Sequence, residues 1–301
     1  MEEKLRRLNE QFGRTGVRFE QGAGGFAEAV LNNRFGEAKV MLHGAHLTSY
    51  TPGGARPVVW MSRHSMYAEN EPIRGGVPVC WPWFGPDPNG KFGGHGFARL
   101  LEWRTVRTET APDGGSLIQL ELTDRMVPEC FAPRPFRLTL TVTLGAELVL
   151  ALRIRNTGSE VLEYSGALHT YFTVSDAARI QVTGLEECEY FDSVLGCEGV
   201  QHGAIVIDRE IDRVYRGTSG ICRIVDPGFR RAIRIAKSGS TSTVVWNPWI
   251  AKSRRMPDFG DEEYHTMVCV EAANAPRAGD NRKLVPGGMA ELRQIIAVET
   301  L

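Results

Sequence analysis

The sequence lacks the excess of charge that would recruit a nucleic acid or an anionic membrane. Its net charge is -1 at pH 7, and 24% of its 301 residues are charged while 42% are hydrophobic. This composition is ordinary for a soluble protein and supplies no extended electrostatic field. We therefore expect no nucleic-acid or membrane partner, and an anionic ligand would depend on local cations.

Long hydrophobic runs are also missing. Residues 1–7 are mostly charged and do not form the apolar core of a secretory signal, and no segment approaches the length of a membrane span. These absences predict a cytoplasmic protein.

Cysteine and histidine form no metal-ligand pattern, so we expect no metal. The six cysteines contain no Cys-x-x-Cys pair, which predicts reduced, mostly buried thiols rather than a zinc site or a disulfide framework. Gly-x-Gly-x-x-Gly, Walker and Gly-x-Ser-x-Gly motifs are absent as well, which disfavours nucleotide binding and acyl transfer. The cysteines are Cys80, Cys130, Cys188, Cys197, Cys222 and Cys269.

The hydrophobic pattern predicts one short helix followed by many strands. Apolar residues recur at helical spacing within about 3–12 and stop at Gly13. Residues 136–144 and 148–154 alternate apolar and polar side chains around a short turn, which predicts an antiparallel hairpin with one buried face. Weaker strand patterns lie at 38–42, 104–108, 117–122, 180–183, 221–225, 232–236, 243–246, 266–272 and 292–298.

Short strands separated by glycine and proline, without regular β-α alternation, indicate an all-β fold. We predict one domain, 1–301, in which a large antiparallel β-sandwich at about 17–300 follows the helix. Two loops interrupt the pattern, one at Arg74–Gly96 with seven glycines and four prolines, and one at Ala251–Tyr264 rich in charge. Loops of this kind often carry function on a rigid scaffold.

His169 and Glu271 each interrupt an apolar run that would bury them, and burying a charge is unfavourable unless a partner or substrate compensates. The pair predicts an acid and a base that act on one substrate. For His169 the alternative is a core histidine that hydrogen-bonds to the backbone. For Glu271 it is a buried ion pair.

Arg74 and Arg99 lie beside glycines that allow a ligand to approach the backbone closely. Their guanidinium groups suit a phosphate or a sugar, although an isolated Arg-Gly is commonly a solvated turn. Tryptophans at 81, 83, 246 and 249, with Phe84, either stack on a sugar or pack in the core.

Several motifs, in this order, resemble the D-hexose-6-phosphate mutarotases. This family, also called glucose-6-phosphate 1-epimerases, belongs to the galactose mutarotase-like group, and the resemblance runs from about Phe26 to the C-terminus. The motifs are Ile73-Arg74-Gly75-Gly76-Val77-Pro78 with Trp81-Pro82-Trp83-Phe84-Gly85, His95-Gly96-Phe97-Ala98-Arg99, Leu168-His169-Thr170-Tyr171-Phe172, Val245-Trp246-Asn247-Pro248 and Val270-Glu271-Ala272-Ala273-Asn274.

The resemblance implies a large β-sandwich enzyme, without a cofactor, that interconverts the α and β anomers of a hexose 6-phosphate such as glucose 6-phosphate. It implies His169 as general acid and Glu271 as general base, and a monomer is expected. Arg74, His95, Arg99 and Asp212 would contact the substrate, Asp212 only through the match of residues 210–215 to the family. Lys252, Arg254 and Arg255 are further candidates for the phosphate.

The sequence leaves three other functions open. The family often has Gln before His95, where this chain has Gly94, which keeps an unphosphorylated aldose such as galactose as an alternative substrate. A non-catalytic carbohydrate-binding protein would retain the arginines and tryptophans without needing the acid–base pair. A β-sandwich glycoside hydrolase normally needs two carboxylates, and the sequence offers one carboxylate with a histidine.

Overall fold

The chain begins with a short amphipathic helix and continues almost entirely as strands. A computed structural model describes all residues, 1–301. Helix α1 spans Glu2–Phe12, as predicted, and a second short helix, α2, spans Trp249–Ser253 at the start of the later loop. No helix of the structure is both long and apolar enough to cross a membrane.

The structure contains 22 strands, joined in several places by single turns of 3-10 helix. The strands are β1 (Val17–Gln21), β2 (Ala27–Asn33), β3 (Gly36–Met41), β4 (His46–Pro52), β5 (Val79–Cys80), β6 (Arg104–Thr110), β7 (Ser116–Thr123), β8 (Phe136–Leu144), β9 (Leu148–Asn156), β10 (Leu162–Tyr164), β11 (Gly166–Leu168), β12 (Tyr171–Thr173), β13 (Gln181–Thr183), β14 (Glu189–Asp192), β15 (Cys197–Val200), β16 (Ile211–Tyr215), β17 (Cys222–Asp226), β18 (Arg231–Ser238), β19 (Ser242–Asn247), β20 (Met267–Asn274), β21 (Arg282–Leu284) and β22 (Met289–Thr300). The 3-10 turns lie at Ala23–Gly25, Ala98–Leu100, Asp124–Met126, Glu129–Phe131, Ala177–Arg179, Glu263–Thr266 and Pro276–Ala278.

Two eight-stranded antiparallel sheets make up most of the fold. The first, which we call the site sheet, has the order β15-β14-β16-β19-β20-β11-β5, and β12 also pairs with β20. The second, the back sheet, has the order β13-β17-β18-β22-β9-β8-β7-β6. A four-stranded sheet of β1 to β4 and a two-stranded sheet of β10 and β21 complete the structure. This antiparallel all-β architecture confirms the predicted fold class.

The predicted hairpin is present as β8 and β9, which pair from Phe136 opposite Asn156 to Leu144 opposite Leu148. Alternate residues of both strands are buried, as the period of two requires when one face covers a core. All the weaker strand patterns also correspond to strands of the structure.

About half of the strands carried no pattern that the sequence analysis recognised. β5 has only two residues, and β10, β11, β12 and β21 have three each, which is too short for an alternation to be visible. β2 is buried at five consecutive positions, so its two faces do not differ in polarity. The expectation of mostly buried cysteines was wrong for Cys130 and Cys197, which are exposed on a 3-10 turn and at the start of edge strand β15.

One cluster of 57 buried residues extends through the interior. It includes side chains of the four-stranded sheet, the site sheet and the back sheet, such as Leu31, Val270 and Leu140. We propose from this continuity that residues 1–301 fold as one domain. Within the cluster, Phe136 of β8 packs against Trp81, with ring centroids 4.4 Å apart, and so joins the back sheet to the loop that begins at Arg74.

We expect Phe136→Ala to destabilise the protein by about 3–5 kcal/mol, because it removes a buried aromatic ring and leaves a cavity beside Trp81. Urea unfolding followed by tryptophan fluorescence measures the change. Thr139→Ala, on the opposite face of the same strand, is the matched control and should change the free energy of unfolding by less than about 0.5 kcal/mol. Equal losses in both variants would contradict the placement of Phe136 in the core.

Candidate active site

β20 explains why Glu271 lies in an apolar stretch of sequence. The strand is buried at all eight positions, so both of its faces are covered. Val268, Val270 and Ala272 point into the main core, while alternate residues Cys269 and Glu271 point to the opposite face. Glu271 is only 1% exposed. A carboxyl group therefore stands on the covered outer face of a central strand.

His169 lies in a gap between two short strands that both pair with β20. β11 ends at Leu168, opposite Ala272, and β12 begins at Tyr171, opposite Cys269. The register is the same on both sides of the gap, so it places His169 opposite Glu271. Directly opposite residues of an antiparallel pair project to the same face, about 4.5–5.5 Å apart at Cβ. The His169 Nδ1 atom accordingly lies 3.4 Å from Glu271 Oε1.

Aromatic contacts hold the imidazole ring of His169. The ring stacks on Tyr171, with centroids 4.8 Å apart and planes 10° from parallel. Trp246 and His95 present their edges to it at 6.1 Å and 5.6 Å. The backbone N–H of His169 donates to the carbonyl of Pro78 at 3.1 Å. Ring orientation is thus fixed from three sides.

Burial pushes the two groups of this pair toward their neutral forms. It lowers the pKa of His169 well below its usual value, and His95, Arg74 and Arg99 lower it further. Burial raises the pKa of Glu271 well above its usual value, with a smaller contribution from Asp212. His169 Nδ1 and Glu271 Oε2 have no hydrogen-bond partner. Buried polar atoms are rarely left unpaired, so a polar ligand that satisfies them is expected here.

All six site residues predicted from the sequence line one cavity. Its volume is ≈ 840 Å³, within the usual range for a small-molecule site. The six residues are Arg74, His95, Arg99, His169, Asp212 and Glu271. A larger cavity of ≈ 1000 Å³ lies on the other side of Met256, which lines both, but it contains neither His169 nor Glu271. We therefore place the candidate site in the smaller cavity.

The two predicted arginines differ in how their charge is balanced. Arg74 Nη2 lies 3.0 Å from Asp258 Oδ2, and its Nη1 donates to the Tyr171 hydroxyl at 3.1 Å. Although burial opposes it, these two partners raise the pKa of Arg74. Arg99 has no carboxylate partner: its Nη2 donates to the carbonyl of Gly94 at 2.7 Å, and its Nε has no partner. Arg99 is therefore a partly buried cation of the cavity without a carboxylate to balance its charge.

His95 is held as a neutral hydrogen-bond donor. Its Nδ1 accepts the backbone N–H of Gly85 at 3.4 Å, so the ring proton is on Nε2. Burial lowers its pKa to about 3, and Arg99 and Arg74 add to the shift. The backbone φ of His95 is 69°, in the left-handed region that most residues avoid. Such strain is often found at functional positions.

Asp212 stands on β16, opposite Trp246 of β19. Lys252 Nζ lies 4.0 Å from Asp212 Oδ2 and 3.1 Å from Glu210 Oε1, and it also lies 5.7 Å above the Trp246 ring. Burial raises the pKa of Asp212, and Lys252 partly opposes that rise. This side of the cavity thus combines a carboxyl group, an ammonium group and an aromatic face, which suits a polyhydroxylated ligand with an apolar C–H surface.

The structure also settles which of the other candidates line the cavity. Trp83, Phe84, Trp246 and Lys252 do, whereas Trp81 is packed in the core. Arg254 lies in the other cavity, 3.6 Å from Glu262, and Arg255 lines neither, so the structure does not bring these two candidates for the phosphate to this site. Sequence reasoning missed Asp258, Ser165, Ser193 and Arg277. Only Asp258 carried a signal, as an acidic residue in the charged loop.

His169, Cys269 and Glu271 present three possible metal ligands, whose atoms lie within 4.8 Å of one another. Cys269 is fully buried, and burial raises the pKa of its thiol well above the usual value. A cysteine binds a metal as the thiolate, which this surrounding strongly disfavours. The chemistry of the three donors therefore favours an acid–base site over a metal centre.

Comparison with known proteins agrees with this geometry. Residues 28–295 match the family described as aldose 1-epimerase, so the chain belongs to that family and is an isomerase. It is 34% identical over 257 residues to a protein of Escherichia coli strain K12 named "putative glucose-6-phosphate 1-epimerase", with 85% of each chain covered. A protein of the same name from Cenchrus ciliaris is 35% identical over 246 residues, which are 78% of this chain and 74% of that one.

The fold agrees with that of a solved relative. The crystal structure of a "putative mutarotase" from Salmonella typhimurium superposes with a TM-score of 0.88 at 30% identity, over 96% of this chain and 95% of that one. The family resemblance seen in the sequence motifs is thereby confirmed.

We expect Glu271→Gln to stabilise the protein at pH 8 by on the order of 1–3 kcal/mol, because the neutral amide keeps the shape of the side chain and removes the cost of burying an ionisable carboxyl group. Burial raises the pKa of Glu271, so the contribution of this side chain to the free energy of unfolding is fully present only at low pH, where the carboxyl group is neutral in both states. That contribution is lost as the pH rises from the ordinary glutamate pKa of about 4.3 through the higher folded value.

The extra stability of Glu271→Gln over the wild type should therefore disappear as the pH approaches 4. Thermal midpoints between pH 4 and pH 8 measure it, with Glu129→Gln, an exposed glutamate without an ion pair, as control. A gain that does not depend on pH would refute the charge-burial argument.

Proposed function

We propose that this protein interconverts the α and β anomers of a hexose 6-phosphate, with glucose 6-phosphate as the reference substrate. The observation that carries the proposal is the cross-strand pair of His169 and Glu271, 3.4 Å apart in a cavity that also contains an uncompensated arginine. Membership of the aldose 1-epimerase family supports the reaction, and the names of the relatives support the substrate.

In the proposed mechanism, Glu271 accepts the proton of the O1 hydroxyl while His169 donates a proton to the ring oxygen O5. The C1–O5 bond breaks and leaves an aldehyde at C1 and a hydroxyl at C5. Rotation about C1–C2 presents the other face of the carbonyl, and the two groups then act in reverse to close the ring. No electrons enter or leave. General acid–base assistance of this kind contributes about 10²–10⁴-fold per group.

The protonation state that burial favours fits one stage of this cycle. Ring opening converts an imidazolium and a carboxylate into a neutral imidazole and a carboxylic acid, with the total number of protons unchanged. The directions of the two pKa shifts favour that neutral pair. The surroundings would therefore stabilise the enzyme form that accompanies the open-chain sugar, which is the high-energy species of the reaction.

Arg99 is the residue we assign to the phosphate. The 6-phosphate is attached through C6 to C5, the carbon that also carries O5, so the group that protonates O5 must lie near the phosphate end of the sugar. Both Arg74 and Arg99 lower the pKa of His169, but only Arg99 lacks a carboxylate partner and lines the same cavity with an unpaired Nε. A guanidinium suits a phosphate because its donors form a planar fork. Arg74, neutralised by Asp258, would contact neutral oxygens instead.

His95 and Asp212 complete the assignment. His95 donates through Nε2 to a sugar oxygen, and Asp212 accepts from a hydroxyl on the opposite side of the cavity. Trp246 and Phe84, which also line the cavity, offer aromatic surface to the C–H face of the ring. The alternative of an unphosphorylated aldose makes use of every group except Arg99, so the two substrates are separated by the role of that residue.

His169→Asn and Glu271→Gln should each reduce catalysed anomer exchange by at least about 10²-fold, because each removes a proton-transfer group. Two-dimensional NMR exchange spectroscopy of α- and β-glucose 6-phosphate measures the rate, with glucose and galactose as further substrates. Circular dichroism confirms folding. Exchange at the wild-type rate in either variant would refute its catalytic role. Wild-type binding of the sugar without exchange above the spontaneous rate would favour a non-catalytic binding protein.

Arg99→Gln should raise KM for glucose 6-phosphate by about 10- to 100-fold, the usual effect of removing hydrogen bonds to a charged group, and leave exchange of glucose almost unchanged. The matched variant is Arg277→Gln, at the exposed rim of the same cavity. A larger effect of Arg277→Gln than of Arg99→Gln would instead place the phosphate-binding site at the rim of the cavity. If glucose is the better wild-type substrate, the phosphate proposal fails.

A further inference from the structure

Gln294 is a buried polar residue in the core, away from the cavity. It lies on β22 of the back sheet between Leu292 and Ile296, and all three project inward. Its side chain is 0% exposed. A buried amide without partners destabilises a core, so its hydrogen bonds show what retains it there.

Both hydrogen bonds of Gln294 cross the sandwich to the site sheet. Its Nε2 donates to the carbonyl of Val270 at 3.1 Å, and its Oε1 accepts from the Thr170 hydroxyl. A carbonyl oxygen can only accept, which fixes the orientation of the amide. Thr170 follows His169 directly in the sequence, and Val270 precedes Glu271. One side chain therefore touches the neighbours of both proposed catalytic residues.

The Val270 carbonyl is free for Gln294 because the ladder between the strands is broken there. The Val270 N–H donates to the Thr170 carbonyl at 3.3 Å, as antiparallel pairing requires. The Thr170 N–H should donate back to Val270, but it turns to the carbonyl of Leu168 instead, at 3.0 Å. Gln294 supplies the missing donor. Its amide takes the place of a ladder hydrogen bond at the gap that contains His169.

We propose that Gln294 is a positioning residue that sets the approach of His169 to Glu271. This inference rests on the proposed function of that pair. The gap releases His169 from regular strand geometry, and the amide of Gln294 holds the released segment against β20. Because His169 and Glu271 must reach two oxygens of the same sugar, a small shift of one against the other slows the reaction. Misplacement by about 1 Å can reduce a rate by on the order of 10²-fold.

Gln294→Met tests the proposal because it keeps the volume of the side chain and removes both hydrogen bonds. Thr170→Val removes the hydroxyl partner and nearly preserves its shape. The double variant completes a thermodynamic cycle. Leu292→Met, on the same strand and the same inward face, is the matched control for a methionine in this part of the core.

We expect kcat of Gln294→Met to fall about 10- to 100-fold with KM for glucose 6-phosphate changed by less than about twofold, since the sugar contacts are intact. Thr170→Val should lower kcat less, and the double variant should be no slower than Gln294→Met alone. The ¹⁵N resonances of the His169 imidazole should shift in Gln294→Met and stay in place in Leu292→Met. All rates are measured well below the thermal midpoint of each variant.

An unchanged kcat in folded Gln294→Met, or a loss of kcat that Leu292→Met reproduces, would overturn the proposal. A rise in KM that accounts for the whole loss would do the same. The imidazole resonances separate this failure from failure of the proposed function. If the wild-type protein does not exchange anomers, a shift of the His169 resonances in Gln294→Met alone still supports positioning, and identical spectra refute it.

Discussion

The cross-strand register of β11, β12 and β20 is the constraint on which the site depends. It places His169 opposite Glu271 and so brings together two residues that are far apart in the sequence. Because opposite residues share a face, the proposed acid and base project into the same cavity without any loop having to hold them. The neighbouring positions, Thr170 and Val270, project to the other face, where Gln294 fastens the gap. One face of this stretch of sheet therefore carries the proposed catalytic pair, and the opposite face packs in the core.

This arrangement places ionisable groups where the protein disfavours their charges. The six predicted site residues, which are two arginines, two histidines and two carboxyl groups, share one partly closed cavity, and the pKa of each is shifted by its own burial and by the charges around it. Arg74 is compensated by Asp258 within the fold, whereas Arg99 and the His169–Glu271 pair retain unmatched atoms. A site with unpaired polar atoms gains more binding free energy from a complementary ligand than a site whose polar atoms are already paired. The unmatched atoms are therefore also the ones that best identify the ligand.

The sequence predicts the parts of this structure that repeat, and fails where they are short or depend on distant pairing. The β8–β9 hairpin follows from its alternation, and the helix at 2–12 from its apolar spacing. β11 and β12 have three residues each, so neither the gap at His169 nor its register could be read from the pattern. The resemblance carried by the order of the motifs identified the six cavity residues. It did not reveal that Arg74 is paired with Asp258 across 184 positions, because that contact exists only in the folded chain.

The position of β22 in the back sheet affects the order in which the sheet can form during synthesis. In the back sheet this strand lies between β9 and β18, although it is the last strand of all in chain order. During synthesis β9 and β18 therefore emerge with an open slot between them, and each exposes an unpaired edge of the kind that promotes association between chains. The slot closes only when β22 inserts, and the same event delivers Gln294 to the gap beside His169. We therefore expect a chain whose β22 has not yet inserted to lack the hydrogen bonds of Gln294 beside His169 and to be most prone to aggregation at that stage.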